Sequence, residues 1–230
     1  MGYLFTMARA NYCPHYRWTV ELVGYREAQC LFPSDTAIDA LAAATGQARF
    51  CPGFLKGQEP WSLLWRLAPV TTCLTHGRLL VEVCPRCGQQ VRVHNLWANA
   101  CQCGQVLSEI EAPHVDRGTD AHRAQEQIQH LLLATLVDKS IPEMDGMTGQ
   151  TWMASLDVMT RWLWDFPDGI FEVDGMSLPP KPKKRHLTSA PVLVDHLHYA
   201  IAARVLRDGQ PAFDEISDRW LSTRTLTNDR

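Results

Sequence analysis

All eight cysteines of this 230-residue chain lie before residue 104. Four of them stand in two glycine-followed pairs. Cys84-Pro85-Arg86-Cys87-Gly88 is followed by Cys101-Gln102-Cys103-Gly104, with thirteen residues between Cys87 and Cys101. A turn of this kind presents two thiolates from one knuckle. The glycine after the second cysteine accepts the positive φ that lets backbone N–H groups point at sulfur. Two such turns a dozen residues apart can close a tetrahedral site with Zn–S distances of about 2.3 Å. The second turn is the less common C-x-C. Four thiolates leave no open position, which describes a structural Zn2+ rather than a catalytic one. An iron–sulfur cluster also uses four thiolates, but the tight strand-and-knuckle context favours zinc over a cluster, and over four free thiols.

A second ligand set precedes the first. Cys73-Leu74-Thr75-His76-Gly77 is a C-x-x-H pair whose mate would be an upstream C-x-x-C. The chain offers Cys51-Pro52-Gly53-Phe54, so Phe54 stands where the second cysteine would. Cys51, Cys73 and His76 remain as an incomplete site. A water, Glu59 or nothing fills its fourth position, and apolar packing around Phe54 is the alternative to a metal. Cys13-Pro14-His15 reads as a helix-end thiol and a surface histidine, and Cys30 beside Leu31 and Phe32 as a core thiol. His94 and His114 lack ligand spacing.

Composition removes several classes. With 46% hydrophobic residues and a net charge of −3, the chain is too apolar and too weakly charged to be disordered throughout. No apolar run approaches the roughly 18 residues of a membrane span, and MGYLFTMARANYC does not read as a secretory signal. A cytoplasmic protein with no membrane partner follows, its cysteines thiols or metal ligands. Residues 1–113 carry nine Lys/Arg and eight Asp/Glu, and residues 114–230 thirteen and seventeen. Neither half is a basic nucleic-acid domain. The one dense cationic run is Lys181, Lys183, Lys184 and Arg185, equally a phosphate grip and a solvated linker.

Periodicity divides the chain into five parts. Residues 1–49 hold two short helical patterns: Leu4, Met7 and Ala8, then Ile38, Leu41, Ala42 and Thr45 behind Pro33 and before Gly46. They read as a helix-turn-helix, or simply as cover for the next module. Residues 50–107 are short, β-rich and aromatic between Cys/Gly turns, with so little core that a metal is the expected staple. Residues 108–172 are helical, with stripes at Ala121, Ala124, Ile128, Leu131, Leu132 and Thr135, then Trp152, Leu156, Met159 and Leu163. The segment IPEMDGMTG between them reads as a loop. Residues 173–190 read as a Pro/Lys-rich linker. Residues 191–230 hold a helix with Leu193, Leu197, Ala200, Ile201 and Val205 inward, closed by Gly209, a short helix at Phe213, Ile216 and Trp220, and a frayed tail RTLTNDR. The eight tryptophans lack interleaved basic residues, so packing is the expected role rather than base stacking.

Enzyme motifs are missing. The zinc-deaminase glutamate has no counterpart beside Cys73 or His76. There is no H-E-x-x-H, no G-x-S-x-G elbow and no phosphate loop. His94-Asn95 between the knuckles is the only hint of a zinc-dependent nuclease, and further catalytic residues do not assemble around it. The expectation is a protein that is not an enzyme.

The segments RFCPGFL, PWSLLWRLAPVTTCLTHGRLLVEVCPRCGQQV and CQCG together resemble the TniQ family of transposon target-selection proteins. GYLFTMARAN and DTAIDALAAATG are similar to that family's first two helices, so the specific likeness covers about residues 2–107. The resemblance implies a mainly α fold with small zinc-knuckle β modules: an N-terminal helix-turn-helix, tandem zinc fingers and a C-terminal helical domain. By position it implies that Cys84, Cys87, Cys101 and Cys103 form the second finger, and Cys51, Cys73 and His76 the first, from which Phe54 departs. It further implies an adaptor for DNA transposition. Its expected partners are a TnsC-like AAA+ ATPase, a CRISPR effector complex (Cascade or Cas12-type) with its guide RNA, and target DNA. A stand-alone helix-turn-helix DNA-binding regulator is the other reading.

Overall fold

A computed structural model describes residues 48–57, 61–136, 143–166, 171–177 and 191–228. The expected helix-turn-helix of residues 1–49, apart from its last two residues, lies outside them, as do Cys13, His15, Cys30, Glu59 and the run from Lys181 to Arg185. The described chain is mainly helical, with six α-helices and three two-stranded hairpins of two-residue strands. It divides into two compact units, one within Met1–Val115 and Leu187–Val192, the other within Asp116–His186 and Leu193–Arg230. No described helix is long and apolar enough to cross a membrane.

The described part of the first unit has little regular structure because its residues are spent on turns. Helix α1 (Pro52–Lys56) begins directly after Cys51, with Pro52 in the first helical position, where a missing N–H costs nothing. A 3-10 turn, Leu63–Arg66, follows. Strand β1 (Thr72–Cys73) pairs antiparallel with β2 (Arg78–Leu79), Cys73 opposite Arg78. Single bridges join Phe50 to Val81, Val83 to Gln90 and Ala100 to Val106. Helix α2 (Val93–Ala98) is capped by Asn95, whose Oδ1 accepts the Arg92 N–H at 3.0 Å.

The core beneath these pieces is aromatic. Phe50, Trp61, Trp65, Val70, Leu79, Val91, Leu96 and Leu107 are all buried. Trp61 donates its indole N–H to the Arg49 carbonyl at 2.6 Å. Arg49 reaches the carbonyls of Ala68 (2.7 Å) and Val70 (3.2 Å) and pairs with Glu82 at 3.3 Å. One guanidinium thus satisfies carbonyls that no sheet ladder accepts, as buried backbone requires.

The second unit contains α3 (Asp120–Leu136), β3 (Glu143–Met144), β4 (Met147–Thr148), α4 (Gly149–Trp164), β5 (Glu172–Val173), β6 (Met176–Ser177), α5 (Val192–Asp208) and α6 (Gln210–Asn228). Its helices bury the stripes that period 3.6 picks out: Ala121, Ala124, Ile128, Leu131 and Leu132; Trp152, Leu156 and Leu163; Leu197, Ala200, Ile201 and Val205. Met159 and Leu193 are only half-buried. Gly209, at φ +68°, separates α5 from α6.

Three local expectations change. The segment read as a loop, IPEMDGMTG, contains the β3–β4 hairpin, and the start of the segment read as a linker completes β5–β6. Both turns are Asp-Gly with two positive φ values, 50° and 75° at Asp145-Gly146 and 53° and 75° at Asp174-Gly175. That backbone has the twist that closes a two-residue hairpin. The last helix is not short: α6 runs to Asn228, because neither Gly nor Pro interrupts the chain after Pro211.

Candidate metal centres

The Cys84–Gly88 knuckle is a closed turn. Gly88 N–H donates to the Cys84 carbonyl and Cys84 N–H to the Gln89 carbonyl, both at 2.9 Å, with Gly88 at φ +70°. The second knuckle repeats the pattern. Gly104 N–H donates to the Cys101 carbonyl and Cys101 N–H to the Gln105 carbonyl, again at 2.9 Å, with Gly104 at φ +83°. Helix α2 spans the interval, and Asn99 ties its end to Ser108 through bonds of 2.8 and 2.9 Å. The spacer between the knuckles is therefore a packed element, with Leu96 buried beneath it.

These turns bring four sulfurs together. Cys84 Sγ lies 3.7 Å from Cys103 Sγ, and Cys87 Sγ 3.6 Å from Cys101 Sγ. All four ligand atoms lie within 4.8 Å of one another. A tetrahedral ion at 2.3 Å from each sulfur would space them about 3.8 Å apart, so the group fits zinc with little movement. Cys84 and Cys101 are buried, Cys87 and Cys103 half-buried.

The electrostatics differ from one sulfur to the next. Burial opposes ionisation of Cys84. The N–H groups of Cys87 and Arg86, with hydrogen bonds from Cys101 and Cys87, outweigh it and hold its thiol at about 7. The Gln89 N–H favours the Cys87 thiolate, but desolvation and the neighbouring thiols push Cys87 up to about 12. One thiol ionises readily, and the next does so only with a metal present.

A second group of three donors also converges. His76 Nδ1 lies 3.7 Å from Cys51 Sγ and 3.5 Å from Cys73 Sγ, and the three ligand atoms fall within 4.8 Å of one another. Cys51 and Cys73 are buried. The N-terminus of α1 directs the Phe54 and Gly53 N–H groups at Cys51. A hydrogen bond from Cys73 is the largest of the effects that bring the Cys51 thiol down to about 6, against burial. The same bond raises Cys73 well above the ordinary thiol range, burial adding to it. Phe54 does not approach as a ligand. Its ring packs edge-on against Trp65, centroids 4.9 Å apart, and against His76 at 5.0 Å.

Gly53 escapes a reading by ligand spacing. A β-carbon there would lie 2.8 Å from Cδ2 and 2.9 Å from Cγ of His76. The sequence signal was the glycine inside C-P-G-F, since only that residue lets the α1 backbone and the imidazole approach so closely.

Other singled-out residues stand apart from these groups. His94 is exposed on α2. His114 is exposed, bridges Arg78 and joins neither donor set. Trp152 is buried and donates to Asp145 Oδ2 at 2.9 Å. Trp162 stacks on Phe213, centroids 5.1 Å apart, and Trp164 meets His198 edge-on. These rings are occupied by packing. Trp97, 43% exposed, is the large aromatic left facing solvent among the described side chains. In the second unit a cavity of about 160 Å³ is floored by Phe171, Ile201 and Ile216. It is rimmed by Arg204, Glu215 and Arg219, which pair with one another.

No family model, curated protein or solved structure matches this chain.

Proposed function

We propose that the protein is a TniQ-like targeting adaptor that links a target-DNA-bound complex to a TnsC-like AAA+ ATPase in DNA transposition. The observation that carries this reading is the ordered convergence of two donor sets in one unit. Cys51, Cys73 and His76 gather first, then Cys84, Cys87, Cys101 and Cys103, in the order in which the TniQ resemblance requires tandem zinc fingers. The role is binding. Zinc, where the four thiolates hold it, supplies crosslinking that the described two-residue strands beside it lack. Cys84, Cys87, Cys101 and Cys103 would hold that ion. The amides of Arg86, Cys87 and Gln89 support the sulfur charge.

On this reading residues 1–49, expected from the sequence to form a helix-turn-helix, and the run Lys181, Lys183, Lys184 and Arg185 are contacts to nucleic acid or to the guide-bound effector. The weak net charge of −3 favours bridging between proteins over autonomous DNA binding. The test is co-purification of the full chain with a TnsC-like AAA+ ATPase and a CRISPR effector complex. Capture of both supports the adaptor. Failure with both, with a shift of naked DNA near 150 mM salt, replaces it with a stand-alone DNA-binding regulator.

A further inference from the structure

We infer that the cavity of the second unit is an anchor pocket: it seats one apolar side chain, phenyl or branched aliphatic, from a partner's peptide segment that carries Lys or Arg beside that residue. This stands apart from the adaptor reading, since neither the sulfur clusters nor the TniQ likeness enters it.

The pocket is built within one unit. Phe171 and the start of the β5–β6 hairpin form one wall. Helix α5 contributes Ala200, Ile201 and Arg204, and α6 contributes Glu215, Ile216 and Arg219. On each helix the isoleucine and the arginine stand three residues apart, so they share a face. Both helices thus offer an apolar floor and a charged lip. Phe171, Ala200, Ile201 and Ile216 are buried, and the lip is open to solvent at Glu172 and Asp174.

Volume decides what fits. A cavity of about 150 Å³ holds one benzene ring, whereas pockets that engulf a whole small ligand run from about 300 Å³ upward. At about 160 Å³ this one takes a single side chain and leaves the rest of the guest outside, as an anchor residue does at an interface. Ala200 makes the room, because a longer side chain at that lining position would fill it.

Charge decides what flanks the anchor. Six charged side chains line the cavity, and four are carboxylates: Asp120, Glu172, Asp174 and Glu215. Both lining arginines turn to Glu215, Arg204 at 2.5 Å and Arg219 at 2.9 Å, and Asp120 is held by Arg207 at 3.0 Å. Glu172 and Asp174 stand on either side of Val173, and Asp174 keeps one oxygen on the Ala121 N–H. Two carboxylates at the lip of an apolar hole favour a guest with a cation next to its apolar group and repel an acidic one.

The experiment titrates the full chain with capped peptides in which a central Phe lies between two lysines, and follows the Ile201 and Ile216 methyl signals by NMR. Both should shift and saturate. Replacing the central Phe by Ala should weaken binding about 10-fold or more, as expected for one buried apolar side chain. Glutamates in place of the lysines should abolish it. Glu172→Gln, at an exposed position, should weaken the Lys-Phe-Lys peptide about threefold. Ala200→Leu should exclude the peptide while circular dichroism keeps the helical signal; if that signal is lost, Glu172→Gln and the methyl shifts decide. Methyl signals that stay still at millimolar peptide, equal binding of the Phe and Ala peptides, equal binding of the lysine and glutamate peptides, or wild-type affinity in both variants overturns the inference. So does phenethylamine binding as tightly as the peptide, which would make the guest a free amine. So does tighter peptide binding once Lys181→Gln, Lys183→Gln, Lys184→Gln and Arg185→Gln are combined, which would make the chain's own basic run the occupant.

Discussion

The backbone at Gly53 and the imidazole of His76 are in such close contact that a single added methyl group would overlap the ring at 2.8 Å. The two residues are 23 positions apart, yet each makes sense only beside the other. Gly53→Ala should displace His76 and cost about 1–3 kcal/mol from overpacking. Metal analysis of this variant should show the ion at the first site lost and the four-thiolate ion retained. Retention of both would mean that α1 shifts without cost.

The four-thiolate knuckle should behave as a structural staple. A structural zinc contributes on the order of 10–16 kcal/mol of apparent binding energy, as much as the whole stability of a typical domain. Cys84→Ser, or removal of zinc with a strong chelator, should therefore unfold the segment from Val83 to Leu107. Amide hydrogen exchange should show protection lost there and kept in α3, α4 and α5. Unchanged protection around α2 would contradict the assignment.

Zinc affinity at this knuckle should fall as pH falls, because protons compete for the same sulfurs. Near pH 8 Cys84, at about 7, is already ionised, whereas Cys87, at about 12, must surrender a proton to the metal. Apparent affinity should thus drop at least about tenfold per pH unit on acidification. The slope should steepen by one proton below 7, where Cys84 is reprotonated. Competition titrations between pH 6 and 8 check this, and a flat profile would exclude thiolate ligation.

His196 gives the second unit its own acid sensitivity. It is buried on α5, and burial pushes its imidazole down to about 4 from an ordinary 6.5. Between those values the unfolded chain binds a proton that the folded chain refuses. Stability is intact above 6.5 and is lost as pH falls toward 4, by at most about 3 kcal/mol. His196→Leu should flatten this dependence in denaturant titrations, whatever its cost at pH 7.

The two Asp-Gly turns do more than close hairpins. Asp145 Oδ2 accepts the indole N–H of buried Trp152 at 2.9 Å, and Asp174 Oδ2 accepts the Ala121 N–H in the first turn of α3 at 3.2 Å. Asp145→Ala leaves that indole N–H unsatisfied, which costs about 1–3 kcal/mol. Asp174→Ala removes a cap worth about 1 kcal/mol and places alanine at φ +53°. Thermal denaturation should rank both variants below wild type. Asn at either position, which tolerates positive φ and keeps an oxygen acceptor, should recover most of the loss.

Much of the second unit was legible because amphipathic helices announce themselves locally. The spacing of Ala121, Ala124, Ile128 and Leu131 is enough to orient α3. The hairpins were legible in principle, since E-M-D-G-M-T and E-V-D-G-M-S share the Asp-Gly signal. Their strands are only two residues long, so no period-2 pattern draws attention to them. The first unit offered less, because Phe50, Trp61 and Trp65 pack through irregular backbone that carries no period.

What the sequence by itself determined is the chemistry of each knuckle. Cys84 with Cys87, Cys101 with Cys103 and Cys73 with His76 are separated by one or two residues, and a turn alone aims such pairs at a common point. How the knuckles meet was decided by tertiary structure. Cys51 reaches His76 across 25 positions, and Cys84 reaches Cys103 across 19. Those approaches depend on buried rings, on the Arg49 clamp and on a β-carbon absent from Gly53. The knuckle spacing suggested which donors would gather, but how closely they approach is set by packing and excluded volume, which act between surfaces and are not written in that spacing.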